Sequence, residues 1–217
     1  MTDTGRKSPI RLAVCASGGG TSLQNLLDRI AAGQLDAEVV QVVASRPNIG
    51  AIARAEKAGI PVAVAVSAKH APAEYTAAVF DPIRANKADL VLFAGFLALV
   101  DIPADYEGRV MNIHPALIPS FCGKGYYGQR VHQAAIDYGV KVSGCTVHFA
   151  DDTYDTGPII LQRSVPVLET DDAHALAARV FEAECQALPE AVALFAAGRL
   201  KIEGRRVRIL PPGDPRP

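Results

Sequence analysis

Asn112 and His114 stand two residues apart in Val110-Met111-Asn112-Ile113-His114-Pro115, an apolar stretch stopped by a proline. Proline cannot donate to a sheet ladder, so it marks the end of a short strand. Side chains alternate along a strand, which puts an amide donor and an ionisable imidazole on one face at neighbouring positions. Open α/β sheets take their ligands at the carboxyl ends of strands. Two adjacent donors placed there can hold an oxygen on which negative charge develops. The same pair can also do no more than pin the loop that follows.

Two further stretches carry residue types suited to chemistry. Ser17-Gly18-Gly19-Gly20-Thr21-Ser22 follows the apolar run Ile10 to Ala16 and precedes a helix-like Leu23 to Leu27. Strand, glycine turn and helix together point backbone N–H groups and a positive helix end at an anion. Thr21 and Ser22 add hydroxyls suited to capping or to phosphate oxygens. Leu23 stands where a dinucleotide fingerprint needs its third glycine, and no Gly-Lys-Ser/Thr follows, so a monophosphate is the expected anion. Tight packing alone would also explain the glycines. The second stretch, Asp151-Asp152-Thr153-Tyr154-Asp155-Thr156-Gly157-Pro158, holds three aspartates in five positions. They can chelate a hard cation, form turns beside Gly and Pro, or orient His114, as a carboxylate fixes an imidazole tautomer and favours its charged form.

The elements that must position these groups alternate. Strands are expected at Ile10–Ala16, Val39–Ala44, Pro61–Val66 and Leu90–Ala94, with helices at Ile49–Ala58 and Ala71–Asn86. Such alternation predicts a mostly parallel twisted sheet with helices on both faces. Gly95 then breaks the chain before Phe96, Leu97, Ala98, Leu99 and Val100, which either pack beneath the core or line a pocket for a flat apolar ligand. A glycine-rich loop from Ile118 to Arg130 follows the Asn112/His114 strand, long enough to be a functional cover. Lys124 within it lacks the Ser or Thr of a phosphate lysine, and His132, in a helix from Val131 to Tyr138, reads as structural. Val142–Phe149, with Thr146 and His148 on one face, and Ile159–Val165 suggest an antiparallel C-terminal part. A long amphipathic helix over Asp172–Ala197 and a hairpin over Lys201–Ile209 complete a single domain, 9–209, between a flexible segment 1–8 and a Pro-rich tail 210–217.

Composition excludes several classes. With Lys+Arg 22 against Asp+Glu 23, the 217-residue chain has no basic field for nucleic acid. No stretch reaches the length of a membrane span, and the polar start followed by Arg11 argues against a secretory signal. Cys15, Cys122, Cys145 and Cys185 form no Cys-x-x-Cys pair, so a zinc site or disulfide framework is not expected and a cytoplasmic location is. Arg205, Arg206 and Arg208 read as a solvated basic edge or a partner patch, and a homodimer stays open.

Taken together, Ser17 to Gln24, Ala94-Gly95-Phe96, Asn112 to Pro119, Val147-His148-Phe149 and Asp155 to Gln162 resemble the folate-dependent phosphoribosylglycinamide formyltransferase family of purine synthesis. The match runs in family order from about Arg11 to Leu200. By that resemblance Asn112, His114 and Asp155 are catalytic, with His148 behind them. Gly19, Gly20, Thr21 and Ser22 would hold the phosphate of glycinamide ribonucleotide, and Glu184 its ribose. Phe96 to Val100, with Ala150, Asp151 and Asp152, would receive the pterin of the cosubstrate 10-formyltetrahydrofolate. No metal is implied. Three positions depart from the family pattern: Ser22 replaces a frequent Asn, Ala98 a common Arg, and Lys69 is only near the place of a basic residue. Deformylases of the same folate share the Asn-x-His-Pro and Asp-x-Gly-Pro pieces and form the nearest alternative. A non-catalytic α/β module binding phosphate or folate is the alternative from another class.

Overall fold

A computed structural model describes residues 8–67 and 72–213; Lys69, segment 1–7 and the end of the tail, 214–217, lie outside the described residues. The chain has an α/β fold whose sheet is parallel in its N-terminal half and carries antiparallel pairs in its C-terminal half. The chain divides into two compact units, one of them Ser8–Asn112.

In that unit β1 (Ile10–Ala16), β2 (Ala37–Ala44), β3 (Val62–Val64) and β4 (Leu90–Ala94) alternate with α1 (Thr21–Ala31), α2 (Gly50–Lys57) and α3 (Pro72–Ala85). The strand order is β3-β2-β1-β4, followed by β5 (Val110–His114). The β1/β2, β1/β4 and β2/β3 pairs are all parallel, as helical crossovers require. β4 reads as an unbroken apolar run and β1 as one broken by Arg11, the pattern of strands buried on both faces, and Leu12, Val14, Leu90 and Leu92 are fully buried. The chain leaves β1 toward β2 on one side and later returns as β4 on the other. That reversal is a topological switch point, where a crevice opens outside the strand ends.

From Ile113 onward the strand order is β5-β6-β7-β9-β8, with β6 at Val142–Phe149, β7 at Ile159–Pro166, β8 at Leu200–Glu203 and β9 at Arg206–Ile209. β6 and β7 pair antiparallel, as do β8 and β9, while β7 and β9 run parallel. Two helices, α4 (Gln129–Tyr138) and α5 (Ala173–Ala196), belong to this unit. The Asp172 carboxylate caps α5 by accepting from the Ala175 N–H at 2.8 Å. β3 is shorter than the expected Pro61–Val66, and α4 starts two residues before the expected Val131. No helix among the described residues is long and apolar enough to cross a membrane.

Candidate active site

His114 ends β5, with 4% of its surface exposed, and Asn112 lies two positions earlier on the same strand. By strand alternation residues 112 and 114 belong to the same side of β5. The His114 ring is held at both nitrogens. Nε2 lies 2.9 Å from the Phe121 carbonyl oxygen, which can only accept, so Nε2 carries a proton. Nδ1 faces Asp155 Oδ2 at 3.5 Å, an ion-pair distance longer than a tight hydrogen bond. Nδ1 is thus the nitrogen that gains and loses the titrating proton.

Asp155 collects three partners. Its Oδ2 accepts from the Gly123 N–H at 2.8 Å, and its Oδ1 lies 3.7 Å from His148 Nε2. Its backbone sits at φ 57°, a left-handed setting that Asp tolerates better than most residues and that recurs at functional sites. Burial raises the Asp155 carboxyl, but the His148 hydrogen bond, the His114 charge and the Gly123 N–H outweigh it, leaving it below the ordinary carboxylate value. For His114 the balance goes the other way. Burial lowers it, and the opposing pull of Asp155 and the Phe121 carbonyl only partly offsets this.

The aspartate stretch divides its labour. Asp151 forms the turn, accepting from the Thr153 N–H at 3.1 Å and from the Thr156 hydroxyl at 2.8 Å, while Asp155 turns to the histidines. Among the described residues no group of three or more His, Cys, Asp or Glu is placed to hold a metal ion. His148 reaches Asp155 from the end of β6, where the pairing with β7 slips by one residue between Val147 and His148. A bulge of this kind re-aims a side chain beside a site.

Each carbonyl of the glycine turn is already engaged, two by α2 and the third by α1 itself. Gly18 O accepts from the Ala51 N–H at 3.2 Å, Gly19 O from Arg54 Nε at 2.9 Å, and Gly20 O from the Gln24 N–H at 2.9 Å. Gly20 has φ +74°, and a Cβ there would fall 2.7 Å from Ala51 Cα, so only glycine fits. Gly20 is the N-cap of α1 without a side-chain cap bond, so the Thr21 and Ser22 hydroxyls do not cap the helix. The first N–H groups of α1 have no intrahelical acceptor and suit an anion. The apolar segment after β4 splits by residue: Phe96 and Val100 are buried, Phe96 against Phe93 with ring centroids 5.1 Å apart. Leu97 and Leu99 stay over 40% exposed, at 44% and 43%, which is the pattern of a lining wall on a packed base.

The Formyl transferase family model matches residues 10–192. The chain belongs to the formyl transferase family.

Within this formyl transferase family, a phosphoribosylglycinamide formyltransferase, chloroplastic, of Vigna unguiculata is 40% identical over 193 residues, covering 88% of this chain and 62% of that protein. The trifunctional purine biosynthetic protein adenosine-3 of Drosophila melanogaster is also 40% identical over 193 residues, 87% of this chain and 14% of that one. The chain therefore spans less than two thirds of either relative. The crystal structure of glycinamide ribonucleotide transformylase 1 from Symbiobacterium toebii matches with a TM-score of 0.86 at 40% identity, covering 95% of this chain and 96% of that one.

Several formyl transferase residues that sequence reasoning left without a role hold the centre in shape. The Thr146 hydroxyl, fully buried, donates to Ala116 O at 2.7 Å and accepts from the Ile118 N–H at 3.1 Å and Gln162 Nε2 at 3.0 Å. Gln162 Nε2 also donates to Ile118 O at 3.0 Å, so β6 and β7 together fix the turn that leaves His114. The place of Thr146 two residues before His148 was the available signal. His132 is buried with its Nδ1 lacking a hydrogen-bond partner, and burial together with the His114 charge pushes it down to about 4. Glu184 is partly buried on α5, and burial pushes its carboxyl up to about 7. Ala150 is partly buried at the end of β6, and Asp152 is exposed beside the Asp151 turn.

Proposed function

We propose that this chain transfers the formyl group of 10-formyltetrahydrofolate to the amine of glycinamide ribonucleotide. The folate supplies an activated one-carbon unit, and the amine attacks its formyl carbon while the tetrahydrofolate nitrogen leaves. Asn112 and His114 donate to the oxygen that becomes negative, a role in which one donor is worth on the order of a hundred- to a thousandfold in rate. Nδ1 of His114 is the donor whose proton is shared, since Nε2 is committed to Phe121 O. Asp155 balances the imidazolium and, by way of a water, takes the proton released by the amine and returns it to the leaving nitrogen.

The observation that carries this reading is the buried His114–Asp155–His148 constellation, with Gly123 completing the carboxylate. The N–H groups of the Gly19–Ser22 turn, at the start of α1, suit the ribose phosphate, and Glu184 suits ribose hydroxyls. Leu97, Leu99 and the 150–152 backbone suit the pterin. Four free cysteines fit a reducing, cytoplasmic setting. The test is formyl transfer with purified chain and both substrates, comparing wild type with His114→Ala and Asp155→Asn. Each variant is expected to lose a hundredfold or more in kcat, by the usual worth of a lost donor, with circular dichroism unchanged. Turnover within a few-fold of wild type in either variant overturns the reading.

A further inference from the structure

Ser17 is the first residue after β1, 4% exposed, and three of its bonds tie neighbouring strand ends together. Its N–H donates to Gly95 O at 3.0 Å, and its Oγ accepts from the Leu97 N–H at 2.9 Å and from the Ser45 hydroxyl at 2.7 Å. Ser45, just beyond β2, in turn donates its N–H to Ala16 O at 3.0 Å. A hydroxyl oxygen has two lone pairs, and both are used here. One buried oxygen thus joins the carboxyl ends of β1, β2 and β4 at the switch point. On its chain it directly precedes the Gly18–Gly19–Gly20 turn, and across the bond it holds the backbone of the Phe96–Val100 segment. Nothing in a purely local account of the turn requires a serine at this place, since Gly18 and Gly19 have open space and the turn is already held by Ala51 and Arg54.

We propose that the Ser17 hydroxyl is a positioning group that couples filling of the phosphate turn to the setting of the Leu97 segment, so that each substrate strengthens binding of the other. The inference rests on the function proposed above. A phosphate drawn onto the N–H groups that follow Ser17 stiffens the turn, and the Leu97 amide is stiffened with it through the shared oxygen. Coupling between two sites is reciprocal in binding free energy, so the same factor must appear whichever ligand is added first.

The experiment measures the dissociation constant of glycinamide ribonucleotide by calorimetry with the full chain, alone and with saturating tetrahydrofolate. Wild type is expected to bind the ribonucleotide at least about fivefold tighter when tetrahydrofolate is present, the low end of typical coupling. In Ser17→Ala the ratio falls to about one, whereas Ser45→Ala, which keeps the Ser17–Leu97 bond, retains most of it. A merely structural role would lower the melting temperature and both affinities but leave the ratio in place, and that outcome overturns the proposal. Should Ser17→Ala not fold, hydrogen exchange in wild type decides. Slower exchange of the Leu97 amide on adding ribonucleotide alone supports the tie, and an unchanged rate overturns it. Wild-type chain that binds neither ligand and transfers no formyl group overturns the function and this inference together. Formyl transfer without coupling overturns only the inference.

Discussion

Replacing Gly157 by alanine tests the site through its backbone alone. Gly157 is buried two residues after Asp155, and a Cβ there would lie 1.8 Å from the Phe149 carbonyl oxygen and 2.9 Å from its carbon. Heavy atoms in contact sit at about 3.5 Å, so the two strands of backbone must part by more than an ångström. The Phe149 N–H to Pro158 O bond, 2.9 Å long, lies in the path of that movement. Overpacking costs roughly 1–3 kcal/mol and a lost backbone hydrogen bond about 1 kcal/mol more. At roughly 2–4 °C per kcal/mol for a chain of this size, the melting temperature should fall on the order of 10 °C. Phe149 follows His148 directly, so the same movement pulls Asp155 away from His148 and His114, now 3.7 and 3.5 Å off. A misplacement of about 1 Å at a reacting centre can cost a hundredfold in rate. Gly157→Ala is therefore expected to lose kcat well below its own melting temperature, measured by formyl transfer alongside thermal unfolding. A variant with wild-type melting and wild-type turnover would refute the close approach and the dependence of Asp155 upon it.

Replacing Thr21 and Ser22 together by alanine should raise KM for the ribonucleotide at least about tenfold, the worth of hydrogen bonds to a charged group, with kcat nearly unchanged; an unchanged affinity rules the hydroxyls out of phosphate binding. Because burial pushes Glu184 up to about 7, lowering pH through 7 protonates a carboxylate that should accept from ribose hydroxyls, and KM for the ribonucleotide should climb. Glu184→Gln should flatten that dependence, and a variant that keeps the wild-type pH profile of KM counts against the assignment. His132 titrates at about 4 in the folded chain against about 6.5 unfolded, so the unfolded state binds more protons between those values and stability must rise with pH there. The contribution is complete above pH 6.5, is lost as pH falls to 4, and amounts to roughly 3 kcal/mol. Urea unfolding of wild type and His132→Leu at pH 7 and pH 4.5 checks it, and equal pH sensitivity in both removes His132 as the cause.

The sequence was most legible where one physical signal dominated. β1, β4, β5 and β6 have the boundaries expected from their patterns and, for β5, from Pro115, and β4, buried at every position, is apolar throughout. β3 is shorter than its apolar run, and among the described residues it pairs with β2 alone. Among the aspartates, composition left three roles open. The difference between Asp151 and Asp155 appears only when β6 and its bulge bring His148 within reach. The capping expectation for Thr21 and Ser22 failed for a local reason, since Gly20 takes the left-handed cap position and α1 already includes both residues. Phe121 O and Gly123 N–H, which complete His114 and Asp155, are backbone groups that no residue type announces.

The electrostatics of His114 bear on how the proposed chemistry would run. Burial holds the imidazole below its ordinary value even though Asp155 pulls it up, so at neutral pH the resting ring tends to be neutral, with Nε2–H fixed on Phe121 O and Nδ1 without its proton. Negative charge forming on a carbonyl oxygen near Nδ1 adds a second anion to that of Asp155 and raises the affinity of Nδ1 for a proton. The ring would then be best protonated when the oxyanion exists, which is the differential binding that accelerates a reaction rather than merely retaining substrate. His114 and Asp155 titrate as a pair under these conditions, so any pH profile belongs to both. Removing the carboxylate in Asp155→Asn leaves only the Phe121 carbonyl to oppose burial and lowers the affinity of His114 for its proton further. That variant should thus fail through loss of the imidazolium itself, even if the ring keeps its place against Phe121.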